Sequence, residues 1–275
     1  MDNIDNYLNQ VFLGRAEEVL KEFPDDIVDL TISSPPYDGA RKYKGFEFNF
    51  EDIANELFRV TKKGGVCVWI VNDETLHGTE SGTSFRQALY FKDIGFNLHD
   101  TMIFGKKNYC PLTHNRYEQE FEYMFILSKG KPKTFNPLVV PTKSAGRIQN
   151  RNKYTCESVT TEKGCRVRKR EELTVVKDTK MKGNVWYYST GRTSPMRDKY
   201  GNMHPAVFPE LLVADHIESW SNEGDLVLDP LSGSGTTLKM AYLMNRDYIG
   251  IEMSTEYFDL ISKRMEELKQ NILEF

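Results

Sequence analysis

The segment TISSPPYDGARKY, residues 31–43, places two prolines between two serines and a tyrosine, directly after an apolar run. Proline cannot donate a hydrogen bond to a sheet ladder, so Pro35 and Pro36 end a strand and leave stiff backbone whose carbonyl groups are unpaired. Hydroxyl and carbonyl oxygens held in this way can accept hydrogen bonds from a ligand. The result is a rigid polar segment with one aromatic ring, that of Tyr37, at its edge. Taken alone, the segment is better interpreted as an ordinary polar loop.

A second segment, DPLSGSGTT at residues 229–237, lies between an apolar run and a helical pattern. Glycines in such a strand-to-helix loop let a ligand approach the backbone closely. The P-loop motif is absent, and Leu238 stands where a dinucleotide fingerprint needs its third glycine. Glu252 follows at the end of the next predicted strand, where a carboxylate can accept both hydroxyls of a ribose. Together these features indicate a nucleoside cofactor without a pyrophosphate.

Charge is distributed unevenly along the 275 residues, whose formal net charge is −4. Residues 129–200 contain 18 Lys and Arg against 6 Asp and Glu, whereas the rest of the chain contains 18 against 34. Such a basic region suits phosphate binding, although a solvated irregular loop is the alternative. It also carries aromatic side chains that could stack on bases: Tyr154, Trp186, Tyr187 and Tyr188.

The elements that must position these segments alternate between strands and helices. A short strand and a helix with Ala16, Val19, Leu20 and Phe23 on one face come first. Further strands are predicted at 28–33, 66–72, 97–105, 122–130, 225–230 and 247–253, and further helices at 50–60, 84–95, 208–221, 236–245 and the C-terminus. This alternation predicts an α/β fold with a mostly parallel, doubly wound sheet. Apart from an irregular stretch between the strands at 97–105 and 122–130, regularity fails in the basic region.

Four motifs occur in one order: SPPY at 34–37, HPAVFPELL at 204–212, DPLSGSGTT at 229–237 and YIGIE at 248–252. Together they resemble the signature set of the S-adenosylmethionine-dependent DNA amino-methyltransferases. Because the SPPY motif precedes the glycine loop and the basic region lies between them, the order resembles the permuted class usually called β. The resemblance covers nearly the whole chain. It implies a Rossmann-like methyltransferase fold with a catalytic half at 1–128, a target-recognition region at 129–200 and a cofactor-binding half at 201–275.

The resemblance also implies roles for individual residues. The implied catalytic residues are Ser34, Pro35, Pro36 and Tyr37, and the implied cofactor-binding residues are Asp229, Pro230, Gly233, Ser234, Gly235, Thr236, Glu252, His204 and Pro205. The Ser34 hydroxyl and the Pro35 carbonyl would hold the amino hydrogens while the amino nitrogen attacks the sulfonium methyl directly. Thr236 could equally be a simple first residue of its helix. No metal is implied.

Several features limit the chemistry or leave it open. Methylation at ring carbon 5 of cytosine would need a cysteine thiolate, typically in a Pro-Cys pair, and no proline here precedes a cysteine. Many relatives carry Gly-Asp where this chain has Gly14 and Arg15, so recognition of the cofactor's adenine ring stays open. For Asp73 and His77, beyond a predicted strand, loop roles are favoured over site roles. The segment with His114, Arg116 and Tyr117 could contact the flipped base or form a solvated turn: PLTHNRYEQEFEY, residues 111–123.

The target and the partners follow from the same resemblance. Within the family SPPY is associated mainly with N4 of cytosine, and N6 of adenine is the alternative; an RNA or protein amide methyltransferase and an inactive DNA-binding protein are rival readings. The expected partner is double-stranded DNA, bound through residues 129–200, within a restriction-modification or solitary modification system. A homodimer and a cognate restriction endonuclease are left open. The four widely spaced cysteines indicate neither zinc nor disulfides, and without an apolar span or a signal peptide we expect a cytoplasmic, nucleoid-associated enzyme.

Overall fold

The computed structural model describes residues 4–36, 48–108, 115–157, 166–190, 198–200 and 209–273. The strands within these ranges are β1 (Gln10–Leu13), β2 (Val28–Ser33), β3 (Thr61–Val71), β4 (Thr75–Leu76), β5 (Thr79–Glu80), β6 (Asn97–Lys106), β7 (Phe121–Ser128), β8 (Val139–Pro141), β9 (Ile148–Glu157), β10 (Arg166–Val175), β11 (Thr179–Met181), β12 (Val185–Tyr188), β13 (Leu226–Asp229) and β14 (Asp247–Glu252). The helices are α1 (Ala16–Val19), α2 (Phe50–Val60), α3 (Thr83–Asp93), α4 (Glu210–Trp220), α5 (Thr236–Leu243) and α6 (Thr255–Leu273). No helix in these ranges is long and apolar enough to cross a bilayer.

Eight strands form the central sheet in the order β1-β14-β13-β2-β3-β7-β6-β12. Every neighbouring pair is parallel except the two pairs that contain β7, which runs antiparallel to both β3 and β6. Helix α2 contacts both α1 and α3, and α4 packs against α5. The predicted α/β fold with a mostly parallel sheet is confirmed. Because β1, β14, β13, β2 and β3 are all parallel, their carboxyl ends lie at one edge of the sheet.

Burial explains why these segments form strands and helices. In the predicted strand at 66–72, residues 66–71 are all apolar because β3 is central, and Val66 to Val71 are at most 1% exposed. Helix α2 buries Ile53, Leu57 and Val60 on one face, as its 3.6-residue periodicity predicts. Such burial contributes about 1.5 to 3 kcal/mol for each large apolar side chain.

The first helix is shorter than its sequence pattern indicates. After α1 the chain continues as a tight 3-10 turn at Leu20–Glu22. Ala16, Leu20 and Phe23 are buried as predicted, but Val19 is only partly buried. Pro24 follows immediately, and proline cannot continue a helix because it has no N–H to donate.

The chain divides into two compact units, of which the smaller comprises residues 137–183 and the larger all the rest. The smaller unit contains two antiparallel pairs, β9 with β10 and β8 with β11. It lies within the predicted recognition region 129–200, whose two ends belong to the larger unit. The prediction that Trp186 and Tyr188 stack on bases is wrong, because β12 joins the central sheet and buries both rings, whereas Tyr187 on the opposite face is 59% exposed.

Candidate active site

The predicted catalytic and cofactor segments meet at the carboxyl edge of the central sheet. Strand β2 ends at Ser33, directly before the proline segment, and its neighbour β13 ends at Asp229, where the glycine loop begins. Strand β14 lies on the other side of β13 and ends at Glu252. Segments far apart in sequence therefore lie side by side in the larger unit.

A buried hydrogen bond connects the two segments directly. The Ser33 hydroxyl donates to Oδ1 of Asp229 at 2.9 Å, across 196 residues of sequence, and both side chains are at most 2% exposed. The backbone N–H of Leu231 donates to the same oxygen at 3.2 Å. Sequence reasoning assigned roles to Ser34 but missed Ser33. Its signal was present, since a serine at the end of an apolar buried strand needs a polar partner.

The environment of Asp229 disfavours its charged form. Burial raises the pKa of this carboxyl to about 6, against the opposing effect of the hydrogen bond from Ser33 and the N–H of Leu231. The negative charge of Glu252 raises the pKa of Asp229 further. A cation bound nearby would reverse this effect, because opposite charge favours the ionised carboxylate.

Glu252 is tied to the loops on either side of it. Its Oε2 accepts the N–H of Gly233 at 2.8 Å, and its Oε1 accepts the N–H of Ser254 at 2.8 Å. Burial raises the pKa of Glu252, and these backbone donors oppose the rise. The N–H of Gly14 donates to the main-chain oxygen of Glu252 at 3.0 Å. Each carboxylate oxygen retains a further lone pair, so the group can still accept hydroxyl donors of a ribose.

The glycine loop needs its glycines for backbone geometry. Gly233 and Gly235 have φ of +54° and +74°, which side chains with a Cβ rarely adopt. A Cβ on Gly235 would also lie 2.9 Å from Cγ2 of Ile261 on α6. Thr236 is the first residue of α5, and its hydroxyl lies 3.2 Å from that of Ser234. Pro230 at the start of the loop is buried.

The SPPY segment is described as far as its second proline. Ser34 is partly buried, Pro35 is buried and Pro36 is partly buried. Three of the predicted site residues lie outside the described residues: Tyr37, His204 and Pro205.

Arg15 is engaged in an ion pair. It directly precedes α1, and its Nε and Nη2 donate to Oε1 of Glu17 at 2.7 and 2.5 Å. Glu17 is buried despite its charge. The loop formed by Gly14 and Arg15 therefore presents a paired cation and carboxylate beside the main chain of Glu252.

Among the remaining candidates, some side chains are hydrogen-bonded within the protein and others are exposed to solvent. Asp73 accepts from the N–H of Ser84 at 2.8 Å and from the Ser81 hydroxyl at 3.1 Å, so its predicted loop role is confirmed. His77 is exposed at the turn between β4 and β5. Arg116 donates to the main-chain oxygen of Gly78, and Tyr117 is fully exposed. His114 lies outside the described ranges.

The chain is similar to a known protein family and to known relatives. Residues 28–263 match the family model described as DNA methylase, N6_N4_Mtase. Over 88% of this chain and 89% of the relative, 52% of residues are identical to the orphan methyltransferase M.BamHII of Bacillus amyloliquefaciens.

Two solved structures have the same fold. The PvuII DNA methyltransferase, cytosine-N4-specific, shares 19% identity with a TM-score of 0.66 over 96% of this chain and 92% of that one. A DNA modification methylase of Thermus thermophilus, TTHA0409, in complex with S-adenosylmethionine shares 22% identity with a TM-score of 0.60 over 94% of this chain and 95% of that one. The predicted methyltransferase fold is confirmed. The chain therefore belongs to the DNA methylase family of S-adenosylmethionine-dependent N6 and N4 methyltransferases that its motifs predict.

Proposed function

We propose that this DNA methylase transfers a methyl group to the exocyclic amino nitrogen of a base flipped out of duplex DNA, with N4 of cytosine as its target. The hydrogen bond between Ser33 and Asp229 carries the proposal. It holds the strand that leads into SPPY beside the strand that leads into the glycine loop. A methyl donor on the loop and an amino group at SPPY would then be neighbours.

The residues at the sheet edge fit S-adenosylmethionine. Glu252 would accept the ribose hydroxyls, and Asp229 with the loop of Gly233 and Gly235 would hold the methionine part. Two buried carboxylates suit this cofactor, which carries a sulfonium and an ammonium group, because opposite charges restore the ionised forms that burial disfavours. When bound, the cofactor supplies an electrophilic methyl group.

The chain itself must orient a weak nucleophile. The lone pair of an exocyclic amino group is delocalised into the base, so acceptors that bind its hydrogens favour the tetrahedral geometry from which it can attack. The Ser34 hydroxyl and the Pro35 carbonyl are our candidates for these acceptors, and Pro35 and Pro36 restrict the backbone that carries them. Tyr37 would stack on the extruded base and offset part of the few kcal/mol of lost base stacking.

The target base and the partner are inferred from the SPPY motif, the charge distribution and the relatives. The serine of SPPY is associated within the family mainly with cytosine N4, and N6 of adenine is the second candidate. Residues 129–200 would bind the duplex, because they carry an excess of 12 positive charges whereas the rest of the chain is acidic. The relative at 52% identity is named an orphan methyltransferase, which favours a solitary enzyme over one with a cognate endonuclease.

Transfer of a labelled methyl group to different acceptors tests this function. We expect label in unmethylated duplex DNA, little in RNA, and a kcat reduced about 100-fold by Ser34→Ala with an unchanged affinity for S-adenosylmethionine. The neighbouring Ser33→Ala is the matched comparison, since its hydroxyl binds Asp229, and it should weaken cofactor binding more than it lowers kcat. Label in RNA alone would favour an RNA methyltransferase, and no label in any acceptor would favour an inactive DNA-binding protein.

A further inference from the structure

Four buried or half-buried charges lie together behind the glycine loop. They are contributed by Asp198, Glu210 at the start of α4, Lys239 on α5 and Arg264 on α6. Arg264 and Glu210 are each only 2% exposed. Two positive and two negative charges balance, which offsets the cost of removing them from water.

Arg264 connects this cluster to the loop itself. Its Nη1 donates to the main-chain oxygen of Ser234 at 2.7 Å and lies 3.3 Å from the Thr236 hydroxyl. Its Nε donates to Oδ2 of Asp198 and its Nη2 to Oε1 of Glu210, both at 2.9 Å. Lys239 contacts the same two carboxylate oxygens at 3.1 and 2.8 Å. The two carboxylates therefore fix the plane of the guanidinium, and the guanidinium fixes the carbonyl of Ser234.

The held carbonyl lies at the most adaptable point of the loop. Ser234 stands between Gly233 and Gly235, and glycine has more accessible backbone conformations than any other residue. On one side Glu252 holds the N–H of Gly233, and on the other Arg264 holds the carbonyl of Ser234. A loop restrained in its binding conformation loses less entropy when a ligand binds.

We propose that Arg264 is a positioning residue for the cofactor: oriented by Asp198 and Glu210, it preorganises the loop that binds S-adenosylmethionine. This inference rests on the cofactor role proposed above for residues 229–236. It adds a residue of the C-terminal helix that lies outside all four sequence motifs. It also gives the four charged residues a role. They affect the cofactor by restraining the loop that binds it and do not contact the cofactor themselves.

Arg264→Lys tests the proposal because it keeps the charge but removes the planar fork of donors. We expect the Kd for S-adenosylmethionine, measured by calorimetry, to rise about 10-fold through the loss of a charge-assisted hydrogen bond to the loop. At saturating cofactor, kcat and the Kd for DNA should stay within about 2-fold of wild type, because the SPPY segment is untouched. A purely structural role would not separate these quantities.

Arg246→Lys is the matched control. Arg246 is also buried and donates to main-chain oxygens, those of Ser221 and Met244, at 2.9 and 2.6 Å. It directly precedes β14, at the edge of the sheet opposite the site. A comparable loss of stability without a change in cofactor Kd is expected for this variant. If Arg246→Lys weakens cofactor binding as much as Arg264→Lys, the positioning role is contradicted.

A milder pair covers the case in which Arg264→Lys does not fold. Asp198→Ala removes one of the carboxylates that orient Arg264, whereas Lys199→Ala removes an exposed ion pair between the same segment and Glu267 on α6. We expect Asp198→Ala to raise the cofactor Kd about 3-fold and Lys199→Ala to leave it unchanged. Equal effects of the two variants would overturn the proposal.

A further variant separates the positioning role of Arg264 from the proposed cofactor site on which it rests. Glu252→Gln should weaken cofactor binding if the loop and its neighbouring strand form the cofactor site. Weak binding by Glu252→Gln with wild-type binding by folded Arg264→Lys would refute only the positioning role. Wild-type binding by both would refute the cofactor site itself.

Discussion

At the scale of single residues, the raised pKa of Asp229 should make stability depend on pH. Its pKa of about 6 in the folded state exceeds the ordinary value of 3.8. The folded state therefore binds the proton more tightly, and the free energy of unfolding falls as pH rises from about 4 to about 6, by about 3 kcal/mol at most. Asn cannot ionise, so Asp229→Asn should not lose stability between about pH 4 and 6. Its stability relative to wild type should therefore rise over this range. Urea unfolding at about pH 4 and pH 7 measures it, with Asp93→Asn on α3 as the control for removing a carboxylate. A constant difference between wild type and Asp229→Asn would contradict the prediction.

The same carboxyl should make cofactor binding depend on pH. Only the ionised form attracts a cationic ligand, so the Kd for S-adenosylmethionine should fall as pH rises through about 6. Asp229→Asn should bind more weakly at neutral pH and show a flatter profile, part of the slope remaining through Glu252. Calorimetric titrations between about pH 5 and 8 give the profile. An unchanged profile in Asp229→Asn would mean that another group is responsible.

At the scale of elements, the contact between the glycine loop and α6 can be separated from backbone strain. Gly235 and Gly224 have nearly equal φ of +74° and +78°, but a Cβ on Gly224 would meet nothing within 4 Å. Both alanine variants should lose about 1 kcal/mol to strain. Gly235→Ala should lose roughly 1 to 3 kcal/mol more by overpacking against Ile261, and it should weaken cofactor binding. Thermal unfolding of the two variants measures the difference in their stability. Equal losses of stability would show that Ile261 on α6 moves aside at no cost when a methyl group is added at Gly235.

Most strands and helices were predictable from the sequence, because the spacing of apolar residues along the chain indicates which side chains are buried. The all-apolar run of β3 and the amphipathic α2 could be read from sequence, since a local pattern reports which faces are covered. The burial of Trp186 and Tyr188 could not be predicted, because an aromatic pair near basic residues is equally compatible with a base-binding surface and with a strand at the edge of a sheet. Only the parallel pairing of β12 with β6 decides between them. Likewise, nothing local indicates that Arg264 reaches Ser234 across 30 residues.

At the scale of the whole molecule, charge is segregated along the chain, and DNA binding should depend on salt accordingly. Lys180 on β11 is an exposed residue of the smaller unit. If it contacts phosphate, Lys180→Ala should weaken binding of all duplexes equally and reduce the slope of log K against log salt by about 1. Lys92→Ala, exposed on α3 in the larger unit, is the control and should change neither. Equal effects of the two variants would contradict a binding role for the basic region.

The order of the motifs predicted the family. That the SPPY segment and the glycine loop lie next to each other is a property of the whole sheet. SPPY and the glycine loop lie almost 200 residues apart, and β2 and β13 pair directly although β3, β6, β7 and β12 of the same sheet lie between them in sequence. Register between strands so distant depends on packing of the complete sheet, which no local pattern reports. The apolar strand indicates that Ser33 needs a polar partner, but only the assembled sheet shows that this partner is Asp229.

Mass spectrometry of nucleosides tests the central claim most directly. Unmethylated genomic DNA would be incubated with the protein and S-adenosylmethionine labelled in its methyl group, then digested to nucleosides and resolved against standards. We predict label in 4-methylcytosine. Label in 6-methyladenine would keep amino methylation at this site but contradict the target base, and label in 5-methylcytosine or in no nucleoside would contradict the account of Ser34 and its neighbouring carbonyl.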